Sequence, residues 1–314
     1  MYISEDKVRE VLTYEALIPA IREALIDYSA GRVEQPPRMI LRAGNAEGAR
    51  NGWFAVMPVI AGDVMGVKTV TFYPGNAELG LHTHMAVIEL LSRATGEPLA
   101  LMDGRLITEM RTAAVSAVAL DALTSPDDSG PRSLGILGSG VQARAHMRAL
   151  RMVRPGINDI RIWSRNATNA GRLADESGAR AVAIEEAAAA DVVLTATAAT
   201  EPVLKGRWLS PRALTLAVGA TGATLRELDD EVMQTSFLVA ESRSCAERES
   251  GDVVLSGAKV QAEIGEILGG TVGPVSCGQR ILFKSVGMAI EDLVAARLVW
   301  EAGWQGRSNG PDCA

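Results

Sequence analysis

From residue 133 onward, apolar and β-branched runs recur at Ser133–Leu137, Ile160–Trp163, Asp191–Thr197, Leu214–Val218 and Phe237–Ala240. Alanine-rich stretches of helical character separate most of them. Continuous apolar runs of this length read as strands buried on both faces, and helical spacers imply right-handed βαβ crossovers. The pattern predicts a doubly wound parallel sheet. The first 110 residues read differently. An amphipathic helix over Thr13–Tyr28 precedes a proline turn at Pro36-Pro37. Strand candidates follow at Trp53–Met57, Val64–Thr71 and Met85–Leu91, then a turn near Gly96 and a strand at Leu99–Asp103. Closely spaced strands without intervening helices predict an antiparallel or mixed sheet in a separate α+β domain. Leu106–Leu123, rich in Ala and Val at helical period, is expected to run between the two domains, and the helical Met288–Trp300 to return to the first. The expected fold class is therefore α/β with a second α+β domain. The boundaries are 1–118 with 288–314 for one domain and 119–287 for the other.

The first strand of the parallel sheet runs into Gly135-Ile-Leu-Gly138-Ser139-Gly140-Val141-Gln142-Ala143. Gly138 permits a tight turn, Gly140 lets backbone approach a pyrophosphate, and Ala143 takes the small position where helix meets sheet. A helix beginning near Val141 would aim its free amides and positive dipole end at that group. Glycine-rich turns also arise for purely structural reasons, so the flanking chain must decide. In an NAD-binding sheet the second strand ends in Asp or Glu, which accepts from the ribose 2′-hydroxyl. Here Ile160–Trp163 ends in Ser164-Arg165-Asn166. A carboxylate would repel a 2′-phosphate, whereas a guanidinium can chelate it, so the strand end favours NADPH over NADH without forbidding the latter. Arg144, one turn into the helix, is either a second contact or a solvated helix residue.

Composition narrows the partners. The chain has 314 residues, 47% hydrophobic and 22% charged, with a formal net charge of −7. That lacks the basic footprint of a nucleic-acid or acidic-membrane binder and leaves small polar metabolites. The amino terminus has neither the basic start nor the apolar core of a signal peptide, and no apolar run reaches membrane-spanning length, so a cytoplasmic location is expected. Cys245, Cys277 and Cys313 form no CxxC pair, which argues against a disulfide framework or zinc site. Cys313 lies in a Gly/Ser/Asn/Pro-containing tail expected to fray.

Three cations sit in apolar or proline-framed settings: Arg38 after Pro36-Pro37, Lys68 inside Val64–Val70, and Arg111 at the start of the Ala-rich helix. A lysine in a strand is costly if buried unpaired, so something anionic should face Lys68. Each cation taken singly is accounted for by exposure or a local carboxylate; together they fit a carboxylate-binding pocket. Gly80-Leu-His-Thr-His84 contains an HxH pair, but without a third ligand it reads as structural or substrate-adjacent, and no metal is expected. His146, on the helix after the glycine turn, reads as structural. No nucleophile elbow, SxxK motif or P-loop is present, which leaves hydrolase chemistry without a basis.

The blocks PPR (36–38), VMP (56–58), GVKTV (66–70), GLHTH (80–84), ITEMRTAAVSAVA (107–119), GILGSGVQARAH (135–146), AVGATGATLRELDDEV (217–232), ESGDVVLSGA (249–258) and FKSVGMAIEDLVAA (283–296) span nearly the whole chain. Collectively they resemble the ornithine cyclodeaminase and μ-crystallin family. The resemblance implies a homodimer built on the amino-terminal domain, an inserted Rossmann domain, and a pocket at the cleft. It carries the substrate carboxylate to Arg38, Lys68 and Arg111, with Met57 beside them. It carries the cofactor to Thr83, Arg111, Gly138–Gln142, Ser164–Asn166, Thr197, Val218, Gly219 and Ser285.

One departure bears on the reaction. Ornithine cyclodeaminases and the family's alanine dehydrogenases place an Asp shortly after the fourth nucleotide-domain strand, where this chain has Thr221. Threonine is no general base near neutral pH, so deprotonating a substrate ammonium loses its agent. Thr221 resembles the μ-crystallin branch, which implies NADPH-dependent reduction of a cyclic ketimine such as Δ1-pyrroline-2-carboxylate or Δ1-piperideine-2-carboxylate. Lys68, Arg111 and Thr221 are then the catalytic candidates. The alternatives are an NAD-dependent cyclodeaminase or amino-acid dehydrogenase, and a non-catalytic NADPH-binding protein of the crystallin kind.

Overall fold

The computed structural model describes residues 2–44, 51–124, 130–275 and 278–303. Cys277, Cys313 and the carboxy-terminal tail lie outside the described residues. The elements begin with β1 (Tyr2–Ile3), α1 (Glu5–Val11), α2 (Tyr14–Ser29), β2 (Val33–Glu34), β3 (Met39–Ala43), β4 (Gly52–Ala61), β5 (Val64–Phe72), β6 (His84–Ser92), β7 (Pro98–Asp103) and α3 (Arg105–Leu123). They continue with β8 (Ser133–Leu137), α4 (Val141–Val153), β9 (Asp159–Trp163), α5 (Ala167–Ser177), β10 (Arg180–Ala181), α6 (Ile184–Ala188), β11 (Val192–Thr195) and β12 (Leu214–Ala217). The last are α7 (Asp230–Thr235), β13 (Ser236–Ala240), α8 (Arg243–Glu249), α9 (Gly251–Ser256), β14 (Ala262–Glu263), α10 (Ile264–Leu268), β15 (Arg280–Lys284) and α11 (Ala289–Gly303).

Two compact units result, one holding residues 1–24, 31–111 and 288–314, the other 25–30 and 112–287. The expected boundary at 118/119 falls inside α3, which the division crosses between Arg111 and Thr112. Residues 25–30 go with the second unit because Tyr28 hydrogen-bonds Ser242 and the Ser29 hydroxyl donates to Glu263, each at 2.7 Å.

In the first unit the sheet order is β1-β7-β6-β5-β4-β2, with β3 also on β4. Among the described residues, only β1 and β7 pair in parallel; the other pairs are antiparallel. α1 and α11 pack on this unit's strands, α11 against β4, β5 and β6. The row Met57, Lys68, Ile88, Met102, cross-strand neighbours in register, is buried. The alternate rows differ: Met39 on β3, Met85 and Val87 on β6 and Leu101 on β7 are exposed apolar residues. Hydrophobic patterning missed β3, whose exposed residues show no inward alternation because it pairs only with β4.

The second unit is an eight-stranded parallel sheet in the order β10-β9-β8-β11-β12-β15-β13-β14. β15, the last strand in sequence, enters between β12 and β13. Patterning missed it because its apolar core, Ile281-Leu-Phe283, is only three residues long between Arg280 and Lys284. His146 is structural, as expected: its Nδ1 lies 2.8 Å from the Gln142 carbonyl and its Nε2 3.0 Å from the Ser116 hydroxyl, joining α4 to α3. A carbonyl can only accept, so Nδ1 carries the proton and Ser116 donates to Nε2. Burial lowers the pKa of His146 to about 4 and keeps the ring neutral. Among the described residues, no helix is long and apolar enough to cross a membrane.

Candidate active site

The glycine turn lies where β8 ends. Gly138 has φ +133°, and a Cβ there would fall 2.5 Å from the Ala196 carbonyl oxygen, so both conformation and space require glycine. Its N–H donates to Trp163 O at 2.8 Å, tying the turn to the end of β9. The Ser139 hydroxyl donates to Ser164 at 2.9 Å, a second tie. Gly140 is the N-cap of α4 without a side-chain cap, and a Cβ on it would meet open space. A 13-residue helix that starts uncapped beside open space fits a phosphate group. Gln142 adds a buried side-chain oxygen without a partner, while Val141 is exposed and Ala143 fully buried.

Arg165 and Asn166 are exposed at the end of β9, and Asn166 caps α5 by accepting from Asn169 N. Arg144 is engaged by Glu176, which accounts for it without a ligand. After β12, Val218 N donates to Thr195 O at 3.0 Å. A Cβ on Gly219 would lie 2.4 Å from Thr197 O, so this close approach also demands glycine. Ala220 then takes φ +52°, a left-handed conformation that a Cβ disfavours, and Thr221 follows, exposed.

This turn rests on a buried network. Lys284 Nζ donates to Gly219 O at 2.6 Å and pairs with Asp252 Oδ2 at 3.0 Å. Asp252 Oδ1 accepts from Glu227 N and Leu228 N at 2.8 and 3.0 Å. Glu227 accepts from the Thr195 hydroxyl at 3.0 Å and from Thr197 N at 2.7 Å. Burial raises the Glu227 pKa, with Lys284 opposing it.

In the first unit, Lys68 at mid-β5 is 3% exposed, and its Nζ lies 2.5 Å from Asp292 Oδ2. Arg111 reaches Asp292 Oδ1 through Nε at 3.1 Å and Glu291 Oε2 through NH1 at 2.5 Å. The anion facing Lys68 is thus already in the chain, in the first turn of α11, where the helix dipole favours acids. Gln35 accepts from Ile290 N at 2.8 Å, capping α11 and anchoring the segment that leads to half-buried Arg38. Arg38 is close enough to act electrostatically on both Lys68 and Asp292.

Burial pushes the Lys68 ammonium down to about 8; Asp292 opposes this, while Arg111 and Arg38 reinforce it. Burial works to raise Asp292, but Arg111 and Lys68 outweigh it and hold its carboxyl below the ordinary value. Burial, with Lys68 and Arg111, also lowers half-buried His84 to about 4. Arg38, Lys68 and Arg111 thus gather around Asp292, with Glu291 also on Arg111. Met57 is the cross-strand neighbour of Lys68 on the same face, and half-buried Thr83 uses its carbonyl to accept from Tyr73 N. His82 is exposed, and among the described residues no group of acids, histidines or cysteines could hold a metal.

The profile of the ornithine cyclodeaminase/mu-crystallin family matches residues 1–307. The chain belongs to this family. Mouse ketimine reductase mu-crystallin is 40% identical over 98% of both chains. Thermococcus litoralis Δ1-pyrroline-2-carboxylate reductase, solved with NADH and L-proline, superposes with a TM-score of 0.89 at 33% identity over 96% of this chain and 97% of that one. An archaeal alanine dehydrogenase dimer with bound NAD also gives 0.89, at 28% identity over 96% and 95%.

For this member of the ornithine cyclodeaminase/mu-crystallin family, sequence reasoning singled out the cations but not their acids. Glu291 and Asp292 directly precede the apolar run Leu293–Ala296, which is the signal that could have revealed them. It also passed over Glu241, which is 1% exposed and binds Ser285, and Lys284, whose place closing a short apolar run marks it in retrospect. The sites also fall in two separate units: Arg38, Met57, Lys68, Thr83 and Arg111 in the first, and all the other candidates in the second.

Proposed function

We propose that this protein is a ketimine reductase that converts a cyclic imino acid, such as Δ1-pyrroline-2-carboxylate or Δ1-piperideine-2-carboxylate, to the cyclic amino acid with NADPH. When bound, the reduced nicotinamide supplies a hydride to the imine carbon, and nitrogen gains a proton to complete the C–H and N–H bonds. Arg38, Arg111 and Lys68 hold the substrate carboxylate, with half-buried Arg38 the most accessible of the three. Lys68, lowered to about 8, can give up a proton near neutral pH, which fits it to serve the nitrogen. The observation that carries the reading is Thr221: reduction of the imine takes up a proton and requires no base there, whereas deamination does. Exposed Arg165 favours the 2′-phosphate of NADPH over NADH. The open apolar face of the first unit's sheet, with Met39, Met85, Val87 and Leu101, favours a homodimer through that face.

The test is to incubate the purified protein with NADPH and each ketimine while following the absorbance of the reduced cofactor and the appearance of proline or pipecolate. Oxidation with the matching product is expected. The absence of turnover with every five- and six-membered ketimine acid would overturn the proposal, and ammonia release from ornithine with NAD would favour a cyclodeaminase.

A further inference from the structure

Glu241 directly follows β13 and is 1% exposed. Its Oε1 takes the hydroxyl proton of Ser285, and its Oε2 accepts from Val286 N at 3.1 Å and Gly287 N at 2.9 Å. Three consecutive residues thus deliver three donors to one carboxylate. Ser285 N itself donates to Ala217 O at 3.0 Å, so Ser285 extends the β12–β15 ladder by one step. It therefore stands at the carboxyl edge of the parallel sheet, on the third strand from the glycine turn in the order β8, β11, β12, β15. Ligands of such sheets lie along that edge. Arg165 marks the β9 side as the adenosine side, so a dinucleotide whose pyrophosphate rests at Gly138 sends its other half over β11, β12 and β15.

A serine hydroxyl has one proton and two lone pairs, and an ionised carboxylate can only accept. With its proton held by Glu241, Ser285 has nothing left to donate. Ser285 is only 2% exposed, so few groups can reach its oxygen. We infer that Glu241 is a positioning residue that makes Ser285 an obligate acceptor, so that this edge selects a cofactor ring bearing an amide N–H. The inference rests on the cofactor part of the proposed function and on no other part of it.

The experiment measures dissociation constants, by quenching of protein fluorescence, for NADPH and for its reduced 3-acetylpyridine analogue, in which a methyl replaces the amide nitrogen and the carbonyl is kept. Wild-type protein should bind NADPH about tenfold more tightly, the value of one well-formed hydrogen bond. In E241Q the amide of glutamine can donate to Ser285 and release its proton outward, so the preference should collapse; S285A should collapse it too. Binding of 2′-phospho-ADP-ribose, which lacks the ring, should be unchanged in both and reports the fold. Equal wild-type affinity for the two cofactors would overturn the inference, as would an undiminished preference in a folded E241Q. If E241Q fails to bind 2′-phospho-ADP-ribose, S285A decides: loss of preference supports the inference and retention overturns it. No ketimine enters these measurements, so a failure of imine turnover leaves this result intact, and the reverse holds as well.

Discussion

Each unit buries a lysine against an aspartate, and the two clusters are completed differently. Around Lys284 every charge also finds backbone or hydroxyl partners: Gly219 O for the lysine, two amides for Asp252, and Thr195 and Thr197 for Glu227. Acids outnumber the cation, and all three side chains are fully buried. Around Lys68 three cations converge, and Arg38 and His84 are only half-buried. The first arrangement is saturated and holds a turn in place. The second leaves Arg38 and His84 in partial contact with solvent, which is what an anionic ligand requires. A buried ion pair alone therefore does not mark a binding site; the exposure of its neighbours does.

The largest effect should come from breaking the saturated cluster. Asp252→Ala strands Lys284 and two amides, and should cost about 3–5 kcal/mol in denaturant unfolding. Lys68→Met should do the opposite in kind. Asp292 keeps Arg111, so the protein should stay folded, while kcat/KM for ketimine reduction should fall about a hundredfold or more. A Lys68→Met enzyme with near wild-type kcat/KM would show that the two clusters do not differ in role.

Acid sensitivity is shared, since His84 in the first unit and His146 in the second are each lowered to about 4. His146 has a folded pKa of about 4, below its unfolded value of about 6.5, so the unfolded chain takes up the proton first. Stability is retained above about pH 6.5, falls as pH drops toward about 4, and levels off below that. The full loss is about 3 kcal/mol, on the order of 1.4 kcal/mol per pH unit across the window. His146→Gln should flatten this part of a stability–pH curve, and an unchanged slope would refute the assignment. Lys68 acts at the other end. Its folded pKa of about 8 lies below the unfolded value of about 10.4, so the unfolded chain holds more protons in that interval. Stability should rise with pH from about 8 to about 10.4, and Lys68→Met should remove that rise.

Arg165→Ala should give the smallest effect. The affinity for NADPH is expected to drop about tenfold, with that for NADH unchanged. Equal losses for both cofactors would mean that Arg165 does not read the 2′-phosphate.

Much of this architecture was legible in the chain because it is written in adjacent residues. The five apolar runs became β8, β9, β11, β12 and β13, the Gly138–Val141 turn lies between β8 and α4, and the amino-terminal strands are antiparallel apart from β1 on β7. β15 escaped because its apolar stretch is short, yet it occupies the middle of the parallel sheet. The cationic trio was visible as charge in apolar settings. Its neutralising acids were not, since α11 is far along the chain from Lys68 and Arg111.

By itself, the sequence determined the two element patterns, the glycine turn and the family, because periodicity, turn chemistry and motif spacing act over a few neighbouring residues. Only the tertiary structure decided that Asp292 would neutralise Lys68, that Lys284 would support Gly219, and that Glu241 would take the proton of Ser285. Those pairings depend on strand order and on which side chains are buried together, and a buried charge accepts whichever partner the fold brings within reach.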